Sequence, residues 1–216
     1  MSTGERLPIE RAEAAAGAIF RMWGLSEPYY QVVGSIRRRR PTVGDIEIIG
    51  PAQPEGESAG LFSGGACDTL HDAIAASVAK GRVEVVRGLK PHFLACSLLV
   101  KLKDTQAGTL LRFPLDVFRY AADGSNRGWI ELMRTGPSEL GILFLARWKF
   151  VHGISPEGKA SIDGHLVDAL GNRIATPDEL TCWEKCDLRY VEPERRDEYT
   201  EAWKRREMTS RREVLR

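Results

Sequence analysis

Residues 34 to 47 constrain this chain more than any other stretch. Gly34-Ser35 opens a turn, arginines run from Arg37 to Arg40, Pro41 follows, and Asp45 and Glu47 close the segment. A residue before proline disfavours helix, so a short helical turn starting at Ser35 must finish before Pro41. Gly44 to Ile49 then reads as a buried strand with Ile46 and Ile48 packed beneath. Side chains at i and i+2 leave the same face of a strand, so Asp45 and Glu47 point together. Paired carboxylates with arginines nearby are what a triphosphate and its magnesium ions require. A helix opening at Ser35 offers backbone N–H groups to an anion. Arg38, one helical turn further on, reaches the same anion with its bidentate fork.

The rest of the chain supplies a frame for that segment. Ile9, Ala12, Ala16, Ile19, Phe20 and Trp23 fall at helical spacing behind Pro8, with Gly24 as the stop. Tyr30 to Val33 reads as a short strand. Pro51 to Gly65 is rich in Gly, Pro, Ser and Glu and reads as a loop. Asp68 to Val78 is a helix, and Val83–Val86, Phe93–Leu102 and Thr109–Tyr120 are strands. Pro114 predicts that the last of these is an edge or a strand start. Asn126–Arg134 and Ser138–Phe150 are helices joined by Thr135-Gly136-Pro137, and a small hairpin lies between 152 and 175. Thr176-Pro177-Asp178-Glu179 then reads as a capping box with Thr176 as the cap and Glu179 closing it.

Composition narrows the classes. With 216 residues, 43% hydrophobic and 28% charged, the chain is ordinary globular material with room for one good-sized domain or two subdomains. No apolar run reaches spanning length, and Met1 to Arg6 carries no signal core, so the expected setting is soluble and cytoplasmic, with no membrane partner. Cys67, Cys96, Cys182 and Cys186 form no C-x-x-C pair and read as buried thiols rather than a zinc site. His71, His92, His152 and His165 are scattered, so metal chemistry here is oxygen-ligand chemistry. Net charge is +1, but basic residues cluster at Arg37–Arg40 and from Arg195 to Arg216, the latter reading as a solvated terminal helix.

Two metal ions acting together need a third carboxylate from an adjoining strand. Asp116 is the candidate: in Leu115-Asp116-Val117 the apolar neighbours face the core and the acid faces the other way. Taken alone, such an acid is a surface residue. Taken with Asp45 and Glu47, it completes a site.

These motifs together resemble the nucleotidyltransferase superfamily and, within it, the DNA polymerase X family that includes DNA polymerase beta. Gly34-Ser35, Arg38, Gly44-Asp45 and Glu47 match the Gly-Ser…Arg…Gly-Asp-x-Asp motif without a gap. Leu115-Asp116-Val117 looks like the third acidic strand, and Thr135-Gly136 like the Thr-Gly element beneath the nucleotide. Thr176-Pro177-Asp178-Glu179 and Leu188-x-Tyr190-x-x-Pro193-x-x-Arg196 look like the ending of the thumb. The similarity runs from about residue 28 to 197.

The resemblance implies an α+β fold: a palm with a mixed sheet and helices on one face, then a small α/β thumb. The implied domains are a palm with its N-terminal helix over 1–134, a thumb-like subdomain over 135–197 and a charged tail over 198–216. It implies that Ser35 and Arg38, with Gly34, bind the β and γ phosphates. Asp45 and Glu47 would ligate both Mg2+ ions, with Mn2+ a substitute, and Asp116 would hold the catalytic ion and orient the primer hydroxyl. Thr135 and Gly136 would lie under the sugar and base. The family has a cis peptide after this Gly, so Gly136–Pro137 is expected to be cis. The implied activity is a minimal DNA-directed DNA polymerase that uses nucleoside triphosphates on primer-template or gapped DNA, filling gaps in repair. A nucleotidyltransferase with another acceptor (template-independent tailing, or nucleotidylation of RNA or protein) and a catalytically silent DNA-binding relative are the other readings. Of the arginine run, Arg38 is assigned to nucleotide and Arg37, Arg39 and Arg40 to solvent or DNA.

Departures from the pattern are specific. Glu47 stands where Asp is commoner, Met133-Arg134 replace the aromatic pair that restricts ribose, and Pro114 stands where a basic residue is usual. Residues 1 to 28 supply one helix, which implies that the N-terminal lyase and helix-hairpin-helix domains of the family are missing.

Overall fold

The structure is a computed structural model that describes residues 6–52, 68–91, 93–103 and 110–214, with side chains as far as 206. All but the first two residues of the expected loop from Pro51 to Gly65, together with Cys67, His92 and the arginines beyond 206, lie outside the residues described in full. The chain folds as two compact units: Met1–Ile36 with Arg40–Gly124, and Arg37–Arg39 with Ser125–Arg216. The division falls between 124 and 125, ahead of the expected boundary at 134.

The first unit is built on a five-stranded mixed sheet. Its elements in chain order are β1 (Leu7–Pro8), α1 (Ile9–Trp23), β2 (Gln31–Val32), α2 (Gly34–Arg37), β3 (Thr42–Val43), β4 (Ile46–Pro51), α3 (Thr69–Ala79), β5 (Val83–Arg87), β6 (Ala95–Lys103) and β7 (Leu110–Tyr120). The sheet order is β2-β4-β7-β6-β5. β4 and β7 run parallel, and the other neighbours run antiparallel.

Alternation along the strands decides which face is core. Ile46 and Ile48 on β4, Cys96, Leu98 and Val100 on β6, and Leu115 and Val117 on β7 are all buried. They share one cluster with Ala12, Ala16 and Ile19 of α1 and Leu70 and Ile74 of α3. The helices therefore cover the face that carries these residues, and the intervening positions emerge on the opposite face. α3 begins at Asp68, whose carboxylate accepts the His71 amide at 3.0 Å and pairs with the buried Arg119 at 2.7 Å. Trp23 Nε1 donates to Ser77 Oγ at 2.9 Å, tying α1 to α3.

Pro114 corrects one expectation. β7 is an inner strand, not an edge. However, β4 begins to pair with it only at Leu115, so at Pro114 the strand has a neighbour, Leu99 of β6, on one side alone. The missing N–H of proline is tolerated where the ladder is one-sided.

The second unit contains α4 (Arg127–Thr135), α5 (Ser138–Val151), β8 (Ser161–Ile162), β9 (His165–Val167), β10 (Arg173–Ile174), α6 (Glu179–Lys185), a 3-10 turn at Pro193–Arg195 and α7 (Arg196–Val214). The expected hairpin is a three-stranded antiparallel sheet in the order β10-β9-β8. Its core gathers Trp129, Leu132, Phe144, Trp148, Leu166 and Trp183. α4 and α6 touch backbone to backbone: a Cβ on Gly128 would lie 1.9 Å from the Asp178 carbonyl oxygen.

Two local expectations are revised here. The cap of α6 is Asp178, which accepts the Thr181 amide at 2.7 Å. Glu179 is therefore the first helical residue and not the far end of a capping box, and its carboxylate is left to turn inward. The terminal helix is not wholly solvated either, because Tyr199 and Trp203 pack against the core.

Candidate active site

In the first unit the sheet brings the predicted acids onto one surface. The parallel register sets Glu47 opposite Asp116, and the next strand sets Ser97 on the far side of Asp116. Glu47 and Asp116 are both half-buried, while Ile46, Ile48, Leu115 and Val117 on either side of them are buried. The alternation read from the sequence thus places both carboxylates on the face away from the helices. Asp45 stands one residue ahead of β4, just after a bend at Gly44, and is also half-buried.

Gly34 is where Glu47 acquires its position. Its φ is +69°, which a residue without a side chain adopts at little cost. A Cβ there would fall 2.0 Å from Glu47 Oε2. The longer Glu side chain therefore lies across the bare Gly34 backbone, and Val33 N–H donates to the Glu47 carbonyl at 2.9 Å. Beside it, Ser35 Oγ is buried and has no hydrogen-bond partner among the described residues. A buried hydroxyl costs about 1–3 kcal/mol when unpaired. Gly34–Arg37 is one four-residue turn, so the anion attraction there rests on individual donors rather than on a helix dipole.

Among the described residues no group of three or more His, Cys, Asp and Glu side chains stands close enough to hold a metal ion. The strand register brings Glu47 and Asp116 together, and Asp45 is not gathered with them into a closed cage. Two features nevertheless suit a hard cation and a phosphate: the donors are all carboxylate oxygens, and the Ser35 hydroxyl lacks a partner.

The second unit collects the remaining predicted residues. Arg38 donates from a terminal guanidinium nitrogen to the Thr135 carbonyl, and its Nε lies 3.4 Å from Asp197 Oδ2. That terminal nitrogen would be 3.0 Å from a Cβ placed on Gly136, so the Thr-Gly turn and Arg38 are in contact. The Gly136–Pro137 bond is cis, as expected. Met133 packs its sulfur against Gly141, where a Cβ would be 2.8 Å away.

Arg37 departs from its assignment to solvent or DNA. It donates to Thr135 Oγ1 at 2.7 Å and to Glu179 at 3.0 Å, and it pairs with Glu131 at 2.9 Å. Arg196 grips the same Glu179 through both oxygens, at 2.5 and 2.8 Å, and its Nε donates to the Val191 carbonyl at 3.0 Å. Its guanidinium lies 5.6 Å from the rings of both Trp183 and Tyr190. Glu131, Glu179 and Arg196 are all buried. Two guanidinium groups thus neutralise two carboxylates inside the unit. The signal for this network was the Tyr190-x-x-Pro193-x-x-Arg196 spacing, which names its anchor but not its partner.

The acids of the network are pulled in opposite directions. Burial pushes the Glu179 carboxyl up, but the Arg196 hydrogen bonds and the Arg196 and Arg37 charges outweigh it and hold the group below its ordinary range. Burial dominates at Glu131, and the Glu179 charge adds to it, so that carboxyl is raised despite Arg37.

Cysteines and histidines take structural places. Cys96, Cys182 and Cys186 are buried free thiols, and burial pushes Cys96 and Cys186 each up to about 12. His152 stacks on Trp148 at 4.0 Å, and His165 is buried in β9.

A parallel β4–β7 pair with helices on one face, and a helical unit with a small antiparallel sheet, make up a polymerase beta-like fold. Solved structures of Leishmania infantum polymerase beta have it: the ternary gap complex matches with a TM-score of 0.66 at 15% identity, over 90% of this chain and 71% of that one. The ternary P/T complex matches with a TM-score of 0.67 at 16% identity, over 90% of this chain and 78% of that one. No protein-family model matches the chain, and no curated protein matches it by sequence. No helix among the described residues is long and apolar enough to cross a membrane.

Proposed function

We propose that the chain is a DNA polymerase that adds nucleotides from a nucleoside triphosphate to a DNA 3′-hydroxyl at primer ends or short gaps. The observation that carries this reading is the register of Glu47 against Asp116 on the sheet face opposite the helices. In the reaction the hydroxyl oxygen forms a bond to the α-phosphorus, the bond to the bridging oxygen breaks, and pyrophosphate leaves. Asp116 would orient the hydroxyl and draw its proton. Ser35, whose Oγ has no partner among the described residues, would donate to phosphate oxygens, and the bare Gly34 leaves room for the Glu47 carboxylate. Arg38 would meet the phosphates by exchanging its Asp197 contact, and Thr135 and Gly136 would support the sugar and base. Asp45, Glu47 and Asp116 would hold two magnesium ions, which supply activation of the hydroxyl and neutralise charge on the departing pyrophosphate.

The test is primer extension on labelled recessed, gapped and single-stranded DNA, each with dNTPs or NTPs, in magnesium or manganese. The expected result is template-directed extension of recessed and gapped DNA. Absence of incorporation under every condition would contradict the proposal, and untemplated extension of single strands alone would favour a tailing enzyme.

A further inference from the structure

Three exposed large apolar side chains of the second unit, Ile142, Phe150 and Val151, lie on one helix, α5. On α5, Leu140, Phe144 and Trp148 form the buried stripe. Ile142, Ala146 and Phe150 form a second stripe at the same four-residue spacing, with Ile142 68% and Phe150 77% exposed. This second stripe is the shared wall of two grooves. One, of about 1140 Å³, lies between α5 and α7, with Leu188, Tyr199 and Trp203 along it. The other, of about 1010 Å³, lies between α5 and residues 153–161, with Ile154, Pro156 and Ala160 along it. Exposed apolar residues scattered singly are ordinary, but a continuous patch flanked by grooves marks an interaction surface.

The rim of the two grooves says what covers them. It carries Arg147, Lys149, Lys159, Lys204, Arg205 and Arg206 against Glu201. Arg147 also faces Asp187 at 3.3 Å and Lys204 faces Glu139 at 3.5 Å, both at the edge of the grooves. Two of the cations are held in place: Lys149 donates to the Pro156 carbonyl at 2.6 Å, and the Arg147 guanidinium lies 5.3 Å from the Phe150 ring. A second copy of this chain would bring the same cationic rim against itself. A nucleic-acid backbone would meet the charge but leave Ile142 and Phe150 in water. An amphipathic helix with acidic flanks satisfies both features, and its i, i+4, i+8 residues match a stripe of about 12 Å.

We propose that the Ile142–Ala146–Phe150 face is a docking surface for an acidic amphipathic helix of a partner protein. The reading is independent of the catalytic site, since none of the residues assigned to that site lines either groove. The probe is a fluorescein-labelled synthetic helix of about 18 residues, with leucines at i, i+4 and i+8 and glutamates elsewhere. Anisotropy should show saturable binding that weakens with salt. Phe150→Asp and Ile142→Asp should each weaken it at least about tenfold, with unchanged circular dichroism and unchanged primer extension. A scrambled peptide of the same composition should bind at least about tenfold more weakly. Absence of binding, equal binding of the scrambled peptide, or indifference to both substitutions would overturn the proposal. So would wild-type dimers in sedimentation that Phe150→Asp dissolves, because the occupant would then be a second copy.

Discussion

Carboxylates meet their surroundings differently in the two units. Glu179 accepts bonds from two arginines, is nearly fully buried, and ionises below the ordinary range because they hold it. Asp116 stands half-buried in a strand face, in no ion pair among the described residues. A buried acid without a cation is costly, so Glu179 depends on its arginine partners to remain charged inside the unit. Asp116 carries no such obligation and remains available for a ligand's charge. A residue type alone therefore does not mark a site; what its neighbours have already satisfied does.

That contrast can be broken in several ways. The largest effect expected is on activity: Asp116→Asn should reduce incorporation by at least about 10²–10³-fold, the scale on which loss of one transition-state charge contact is felt. Its urea midpoint should stay at the wild-type value. A destabilised Asp116→Asn would move the residue into the structural class and weaken the contrast.

Arg196→Met should do the reverse, removing one partner of a buried pair and costing about 3–5 kcal/mol in urea unfolding. Removing both charges, as Glu179→Met with Arg196→Met, should cost less than the single change, because no uncompensated carboxylate remains. Equal or greater cost for the double variant would refute the ion-pair account.

Gly34→Ala sharpens the comparison, because it touches a backbone position and an acid at once. The left-handed φ should cost about 1–2 kcal/mol. The added Cβ must also push the Glu47 carboxylate aside, so incorporation should fall by more than about tenfold. A loss of stability with normal turnover would place Glu47 outside the chemistry.

The smallest effects are pH-dependent and confined to the network. Glu179 has a lowered pKa, so its contribution is complete above the ordinary glutamate range and is lost as pH falls through the lowered value. Glu131 has a raised pKa, so stability is lost as pH rises through its folded value. Glu131→Gln should therefore steepen the net gain of stability between about pH 3 and 7, and Glu179→Gln should flatten or reverse it. Urea midpoints across that range distinguish the two.

Much of the first unit was legible in the sequence because its strands alternate. The Ile46–Glu47–Ile48 and Leu115–Asp116–Val117 patterns each fix which side chains face the core, so both acids could be assigned to one face before the pairing was known. Ser97 could not be placed beside Asp116, since a cross-strand neighbour is a matter of register and no local pattern records it. Arg37 was misassigned for a related reason. Within four consecutive arginines, the identity of the one that turns inward is decided by Glu131 and Glu179, roughly a hundred residues away or more. The cap of α6 was misread by two positions because Thr176 and Asp178 both carry capping chemistry, and only the backbone path decided between them. Pro114 shows the same limit: its chemistry said edge, and the staggered start of β4 supplied one inside the sheet.

The most direct test of the catalytic claim is a crystal structure with manganese and a non-hydrolysable nucleoside triphosphate, using anomalous scattering to locate the ions. The account predicts manganese bound to the carboxylates of Asp45, Glu47 and Asp116, with the phosphates against Ser35. Manganese bound elsewhere, with the Asp116 carboxylate outside its coordination, would contradict it.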